Sequence, residues 1–140
     1  MPSFKIFDVA GSGMSAQSVR LNTVASNLAN ADSISGDPNK VYKARHPIFE
    51  AIKASAAGAQ PGDPNSAVKV KGIMESQAAP TARYEPGNPL ANEEGYVYSP
   101  NVNVVEEMVD MISASRAYQN NVEVMNTSKD LMLATLKLGQ

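Results

Sequence analysis

Apolar residues recur every seven positions near the start of this 140-residue chain. Phe7, Met14, Leu21 and Leu28 form one seam. Ala10, Val24 and Ala31 form a second, interrupted by polar Gln17. A 3.5-residue period sustained over several turns predicts a helix of the coiled-coil kind. From residue 4 to 31 it would be roughly 42 Å long at about 1.5 Å per residue. Gly11 and Gly13 weaken its early turns by roughly 1 kcal/mol each relative to alanine, so that part is expected to fray in a free monomer.

The C-terminal segment has the same grammar, more strongly. Val104, Met108, Met111, Ser115 and Tyr118 alternate in steps of four and three. Val122, Met125, Lys129, Met132 and Leu136 continue the pattern, and Val105, Val109, Ile112 and Leu133 widen the stripe to one side. Asn103 can cap this helix, and Glu106 and Glu107 sit where a helix N-terminus favours negative charge. From 103 to 138 the helix would run roughly 54 Å. Apart from Pro2, every proline lies between Pro38 and Pro100. Proline lacks an amide proton and clashes with the preceding turn, so only the two ends can be long helices. The division expected is 1–31 helix, 32–100 middle region and 101–140 helix.

The middle reads as short strands and turns. "AVKVKGI" alternates Val68 and Val70 with Lys69 and Lys71, as a half-exposed strand does. "VYKARHPIF" and "GYVYS" are two further strand candidates. "GDPN" occurs twice, at 36–39 and 62–65, each a turn signal. "AIKASAAGAQPGDPNS" is small and polar and predicts a mobile loop around 54–66 that could order against a neighbour. The expected fold class is mainly α: two long terminal helices in a coiled-coil-like pair, with a small β-rich middle. If that middle is compact, its two ends are close. The helices then pack antiparallel, with Leu28 near Met108 and Met111, Leu21 near Tyr118, Met14 near Met125 and Phe7 near Met132.

Asparagine is frequent in these helices although its amide competes with the backbone for hydrogen bonds. "RLNTVASNLANA" alone holds Asn22, Asn27 and Asn30. A buried amide must find a matching partner, so Asn27, Asn30, Asn120, Asn121 and Asn126 are candidates for fixing the alignment of helices. The competing reading is that several face solvent.

Composition narrows the function by subtraction. The net charge is −2, which does not indicate a broad basic surface for nucleic acid. The chain has no cysteine, so disulfides and thiolate metal sites are excluded. His46 is the sole histidine and lies before a proline, where an ordinary surface or turn residue is the better reading. Glu93 and Glu94, like Glu106 and Glu107, are adjacent and point apart more readily than they converge across a cleft. "AGSGMS" lacks the spacing and the preceding strand of a phosphate loop. The seven methionines fall mostly on the helix stripes, where packing explains them. Tyr84, Tyr96 and Tyr98 read as a small β core or its rim. No catalytic, cofactor or metal site is expected. No apolar run is long enough to span a bilayer, and "MPSFKIFDVAGSG" is a poor secretory signal.

What remains is apolar surface. Two paired helices leave part of these stripes uncovered, and such surface marks a site for other subunits. The residues expected at helix or subunit contacts are Phe7, Met14, Leu21, Val24, Asn27, Leu28 and Asn30 on the first helix. On the second they are Val104, Met108, Met111, Ile112, Tyr118, Val122, Met125 and Met132.

"RLNTVASNLANA" resembles the N-terminal motif of the flagellar rod and hook proteins, the axial proteins of the bacterial flagellum. "PNVNVVEEMVDMISASRAYQNNVEVMN" resembles their C-terminal motif in its proximal-rod version, and "YEPGNPLANEEGYVYSPNVN" is similar to the same type. The resemblance implies a non-enzymatic structural subunit whose terminal helices form the inner layer of a helical tube. It implies a periplasmic rod that joins the membrane ring to the hook and transmits torque. It also implies export through the flagellar type III apparatus without signal cleavage. The partners it implies are copies of the chain, the rod subunits FlgB, FlgF and FlgG, and the FliE adaptor at the ring. The alternatives are another rod subunit of the family, an amphipathic protein of membrane surfaces, and a cell-wall enzyme. Against the second, neither helix has a dense Lys/Arg face. The third would need a convergent carboxylate pair.

Overall fold

The computed structural model describes residues 2–52 and 67–138. Helix α1 spans Pro2–Ala29. Strands β1 (Arg45–Ile52), β2 (Ala67–Glu75), β3 (Thr81–Tyr84) and β4 (Tyr96–Ser99) follow, and α2 spans Val104–Leu138. The chain is mainly α with a small β region. The loop expected at 54–66 lies outside the described residues.

The strands form two antiparallel pairs. β1 pairs with β2 from Arg45↔Glu75 to Ile52↔Ala67, with a register shift between Ile48 and Phe49. β3 pairs with β4 from Thr81↔Ser99 to Tyr84↔Tyr96. Ser35 adds a bridge to Tyr98, with both backbone bonds near 3 Å. β3 was not expected: "TARY" is short, lacks alternation and is exposed throughout. "VYKARHPIF" enters its strand only at Arg45; just before it the Ala44 amide donates to Asn101 Oδ1, and Val41 and Ala44 are buried.

α2 begins where its cap requires. Asn103 Oδ1 accepts from the Val105 amide at 3.1 Å, and the Asn103 carbonyl accepts from Glu107 at 3.0 Å. Just before it, Asn101 accepts from the Ala44 amide and donates to the Ala78 carbonyl, both at 2.8 Å. One side chain thus fastens the chain ahead of α2 to both sheet connections.

The helices run antiparallel. Gly13 faces Asn121, and Asn27 faces Glu107, the same 14-residue step on each helix. Arg20 reaches Asp110 at 2.8 Å. The register differs from the expected one by up to about five residues, nearly one and a half turns: Met14 is expected beside Met125, whereas Gly13 lies at Asn121, which sets Met14 near Asn120. The facing stripes differ too. On α1, Ala10 and Val24 are buried as the second seam predicts, but Asn27 rather than Leu28 is buried beside them. On α2, Glu107 and Ala114 are the buried residues, not Met108 and Ser115. Small and polar residues meet in the pair, and the large apolar heptad residues flank it.

Gly13 shows why. A Cβ there would lie 2.9 Å from Asn121 Nδ2 and 3.2 Å from its Cγ, whereas a Cβ at Gly11 would meet nothing within 4 Å. Gly13 is a close-approach residue, and only Gly11 is simply a weak helix former. The adjoining face of α1 carries buried Ala16 and Thr23, and beside it lies the β1–β2 hairpin, where Ser12 Oγ accepts from the Val68 amide at 3.1 Å.

Asn27 joins these layers. It is fully buried, and its amide is saturated. Nδ2 donates to the Arg45 carbonyl and to Glu107 Oε1, each at 2.9 Å. Oδ1 accepts from the Arg45 amide and from the Tyr42 hydroxyl, each at 2.9 Å. The side chain therefore pairs with β1 as another strand would, and holds α2 with its remaining proton.

Two pairs of variants, measured by urea unfolding, test this account. Asn27→Leu keeps most of the volume but strands the Arg45 amide and Glu107, leaving the Tyr42 hydroxyl to Ser26 Oγ alone, and is expected to cost about 3 kcal/mol or more. Asn30→Ala removes a bond to the Ser26 carbonyl alone and is expected to cost under about 1 kcal/mol. Gly11→Ala is expected to stabilise by about 0.5–1 kcal/mol. Gly13→Leu is expected to destabilise by about 1–3 kcal/mol, because the helices must separate.

Candidate subunit interface

The buried apolar residues are Ala10, Ala16, Val24, Val41, Ala44, Val97 and Ala114. All are alanine or valine. Leucine, isoleucine, phenylalanine and methionine do not enter this core among the described residues. A core of small side chains gains little from the hydrophobic effect, which scales with apolar area removed from water.

The large apolar side chains lie outside. Val105, Met108, Val109 and Ile112 are 70%, 54%, 61% and 56% exposed, and Val104 is exposed beside them. At 3.6 residues per turn, Val105, Met108, Val109 and Ile112 share the side of α2 turned away from buried Ala114. They form a continuous apolar band over more than two turns. Further along, Val124, Leu131 and Ile6 line a shallow groove with Thr127 and Ser128 where the start of α1 meets α2. The β1–β2 hairpin exposes Ile48, Phe49, Ile52, Ile73 and Met74, drawn from both strands.

Residues expected at contacts are spread over three environments. Val24 and Asn27 are buried within the chain. Phe7, Met14, Leu21, Leu28, Asn30, Met111, Val122, Met125 and Met132 are half-buried along the edges of the helix pair. Val104, Met108, Ile112 and Tyr118 are exposed. Of the other asparagines, Asn121 is half-buried against Gly13, while Asn22, Asn120 and Asn126 face solvent.

Glu107 is more than charge at a helix N-terminus: it is only 5% exposed. Its Oε2 has no hydrogen-bond partner among the described residues, and neither does the buried Oε1 of Gln17. The signal for Glu107 was its spacing, since it lies seven residues before Ala114 and fourteen before Asn121. Helix N-terminal charge masked it. Glu93 and Glu94 are exposed, and His46 is exposed on β1. Tyr84 and Tyr96 meet edge-on at 5.3 Å between ring centres on the rim of the β3–β4 pair. Among the described residues no cluster of three metal-ligating side chains occurs, and no helix is long and apolar enough to cross a membrane. What the surface offers is apolar area for association.

Comparison with known proteins points the same way. Residues 7–33 match the family described as flagella basal body rod protein. Residues 93–138 match the one described as flagellar basal body rod FlgEFG protein C-terminal. The flagellar basal-body rod protein FlgC of Salmonella typhimurium is 53% identical over 140 residues, covering all of both chains. That of Escherichia coli O6:H1 is 54% identical over the same full length. FlgC of Aquifex aeolicus is 39% identical over 138 residues, 98% of this chain and 97% of its own. The two matched segments are α1 with the turn after it and α2 with the β4 strand before it, the parts that carry the exposed apolar band and its antiparallel support. The chain belongs to the FlgC family of flagellar basal-body rod proteins, structural subunits rather than enzymes.

Proposed function

We propose that the chain polymerises as the proximal rod and transmits torque from the membrane ring to the distal rod and hook. The inversion of burial carries this reading: alanine and valine fill the inside of the subunit while the largest aliphatic residues of α2 stay in water. Each such side chain, once fully covered, contributes about 1.5–3 kcal/mol. Association in a head-to-tail sense that does not close on itself gives a helical tube.

Segments 1–31 and 101–140 then serve as the axial core and 32–100 as the middle region. The apolar heptads that flank the intrachain pair become seams between subunits, so coiled-coil-like packing is completed by neighbours. Those neighbours are other copies of the chain, the rod subunits FlgB, FlgF and FlgG, and the FliE adaptor. The subunit reaches the periplasm through the flagellar type III apparatus. A small-residue core favours that route, because a chain that buries little apolar area is easily unfolded. A membrane-surface role is the weaker reading. α2 carries Arg116, Lys129 and Lys137 against Glu106, Glu107, Asp110, Glu123 and Asp130, which repels anionic lipid.

Ile112→Glu separates folding from assembly. The position is exposed, so urea unfolding of the monomer is expected to shift by no more than about 0.5 kcal/mol. Basal bodies isolated from cells carrying the variant are expected to lack rods, and the cells not to swim. A motile strain with normal rod numbers would reject the band as an assembly face. Leu28→Asp is expected to block assembly as well, with a measurable loss of monomer stability because Leu28 is half-buried.

A further inference from the structure

The junction of α1, α2 and β1 contains a carboxylate that the rod role does not use. Glu107 is 5% exposed. Oε1 receives one neutral donor, Asn27 Nδ2, at 2.9 Å. Oε2 receives none among the described residues. Asn27 cannot supply another, because both its amide protons and both lone pairs of its oxygen are engaged. The guanidinium groups nearby are directed elsewhere. Arg20 of α1 is held by Asp110 at 2.8 Å, and Arg45 of β1 by Glu75 of β2 at 3.1 Å while it lies over the Tyr42 ring.

A buried carboxylate with a single neutral donor is poorly compensated when charged and far less so when neutral. We propose that Glu107 is a proton-operated latch: protonated, it lets the junction stay closed, and ionised, it loosens the junction so that the β1–β2 hairpin lifts from the helix pair. The hairpin is held there by the same Asn27 amide that Glu107 touches, so strain at the carboxylate is felt by Arg45 one bond away. This inference concerns opening of the single subunit and stands whether or not the rod reading does.

The charged surroundings agree. Burial raises Glu107 above the ordinary value of 4.5. The Asn27 hydrogen bond and the charge of His46 on β1 act against that, and Asp110 and Glu106 on α2 add to it. A carboxyl whose value is higher closed than open binds more protons when closed. Stability of the junction is therefore full below about 4.5 and is lost as pH rises through the closed-state value. Glu85 has the opposite sign. Asn88 and Arg83 hold it below the ordinary value, so its contribution is lost on acidification.

Amide hydrogen exchange of the full-length monomer between pH 4.5 and 7.5, corrected for intrinsic rates, tests the latch. The reporter is the Arg45 amide, which donates to Asn27 Oδ1. In the wild type its opening constant is expected to rise with pH, about tenfold for each unit separating closed and open values. Glu107→Gln keeps an acceptor for Asn27 and is expected to flatten the profile and raise protection at pH 7. His46→Gln removes an attraction that favours the ionised form and is expected to steepen it. A wild-type profile that is flat or falls with pH would overturn the proposal, as would parallel profiles for wild type and Glu107→Gln. Should Glu107→Gln fail to fold by far-UV circular dichroism, the wild-type slope and its change in His46→Gln decide.

Discussion

A single side-chain amide sets the geometry of this subunit. Asn27 uses both donors and both lone pairs, and its four bonds end on three separate parts of the chain: the segment before β1, β1 itself and α2. An amide is suited to this because it presents a donor edge and an acceptor edge in one plane, matching the N–H and C=O of one extended residue. A hydroxyl could not bridge Arg45 and still reach Glu107. The angle at which the hairpin meets α1 and the register at which α2 meets α1 are therefore the same decision. Directional bonds are needed for it because the core beside Asn27 is alanine and valine, and contacts between small smooth side chains slide at little cost.

The same economy explains the faces that meet. Antiparallel helices with Gly13 against Asn121, and with buried Ala10 and Ala114 between them, can approach closely. Filling that seam with Met14, Leu21, Met108 and Val122 would force the axes apart and consume the surface that polymerisation needs. Small and polar residues thus hold the monomer, and large apolar residues are reserved for neighbours. The Arg20–Asp110 pair is partly exposed on both sides and contributes at most about 1 kcal/mol; its use is in register rather than stability.

Asn101 repeats the device at a smaller scale. It joins the Ala44 amide to the Ala78 carbonyl immediately before the α2 cap, so the chain enters α2 from a fixed direction. Two asparagines, 74 residues apart in sequence, together position a helix whose outer side carries the assembly band.

Local rules were enough for every element of this chain but one. Heptads, the confinement of proline to the middle, the Asn103 cap and the Val68/Val70 alternation determined two long helices around a small β region, because each depends on neighbours within a turn or a strand. The motifs at the two ends likewise determined the family. The four residues of β3 escaped, since a strand that short is made by its partner β4 rather than by its own pattern. Tertiary structure alone decided which seam of each helix is internal. Periodicity marks the apolar stripe, but whether that stripe meets its own partner or another subunit depends on close approach and hydrogen bonds between residues 80 or more apart, such as Asn27 with Glu107 and Arg20 with Asp110. It also decided that Glu107 is buried while its neighbour Glu106 is not: helical rotation separates adjacent side chains by about 100°, and only the partner helix determines which of the two is covered.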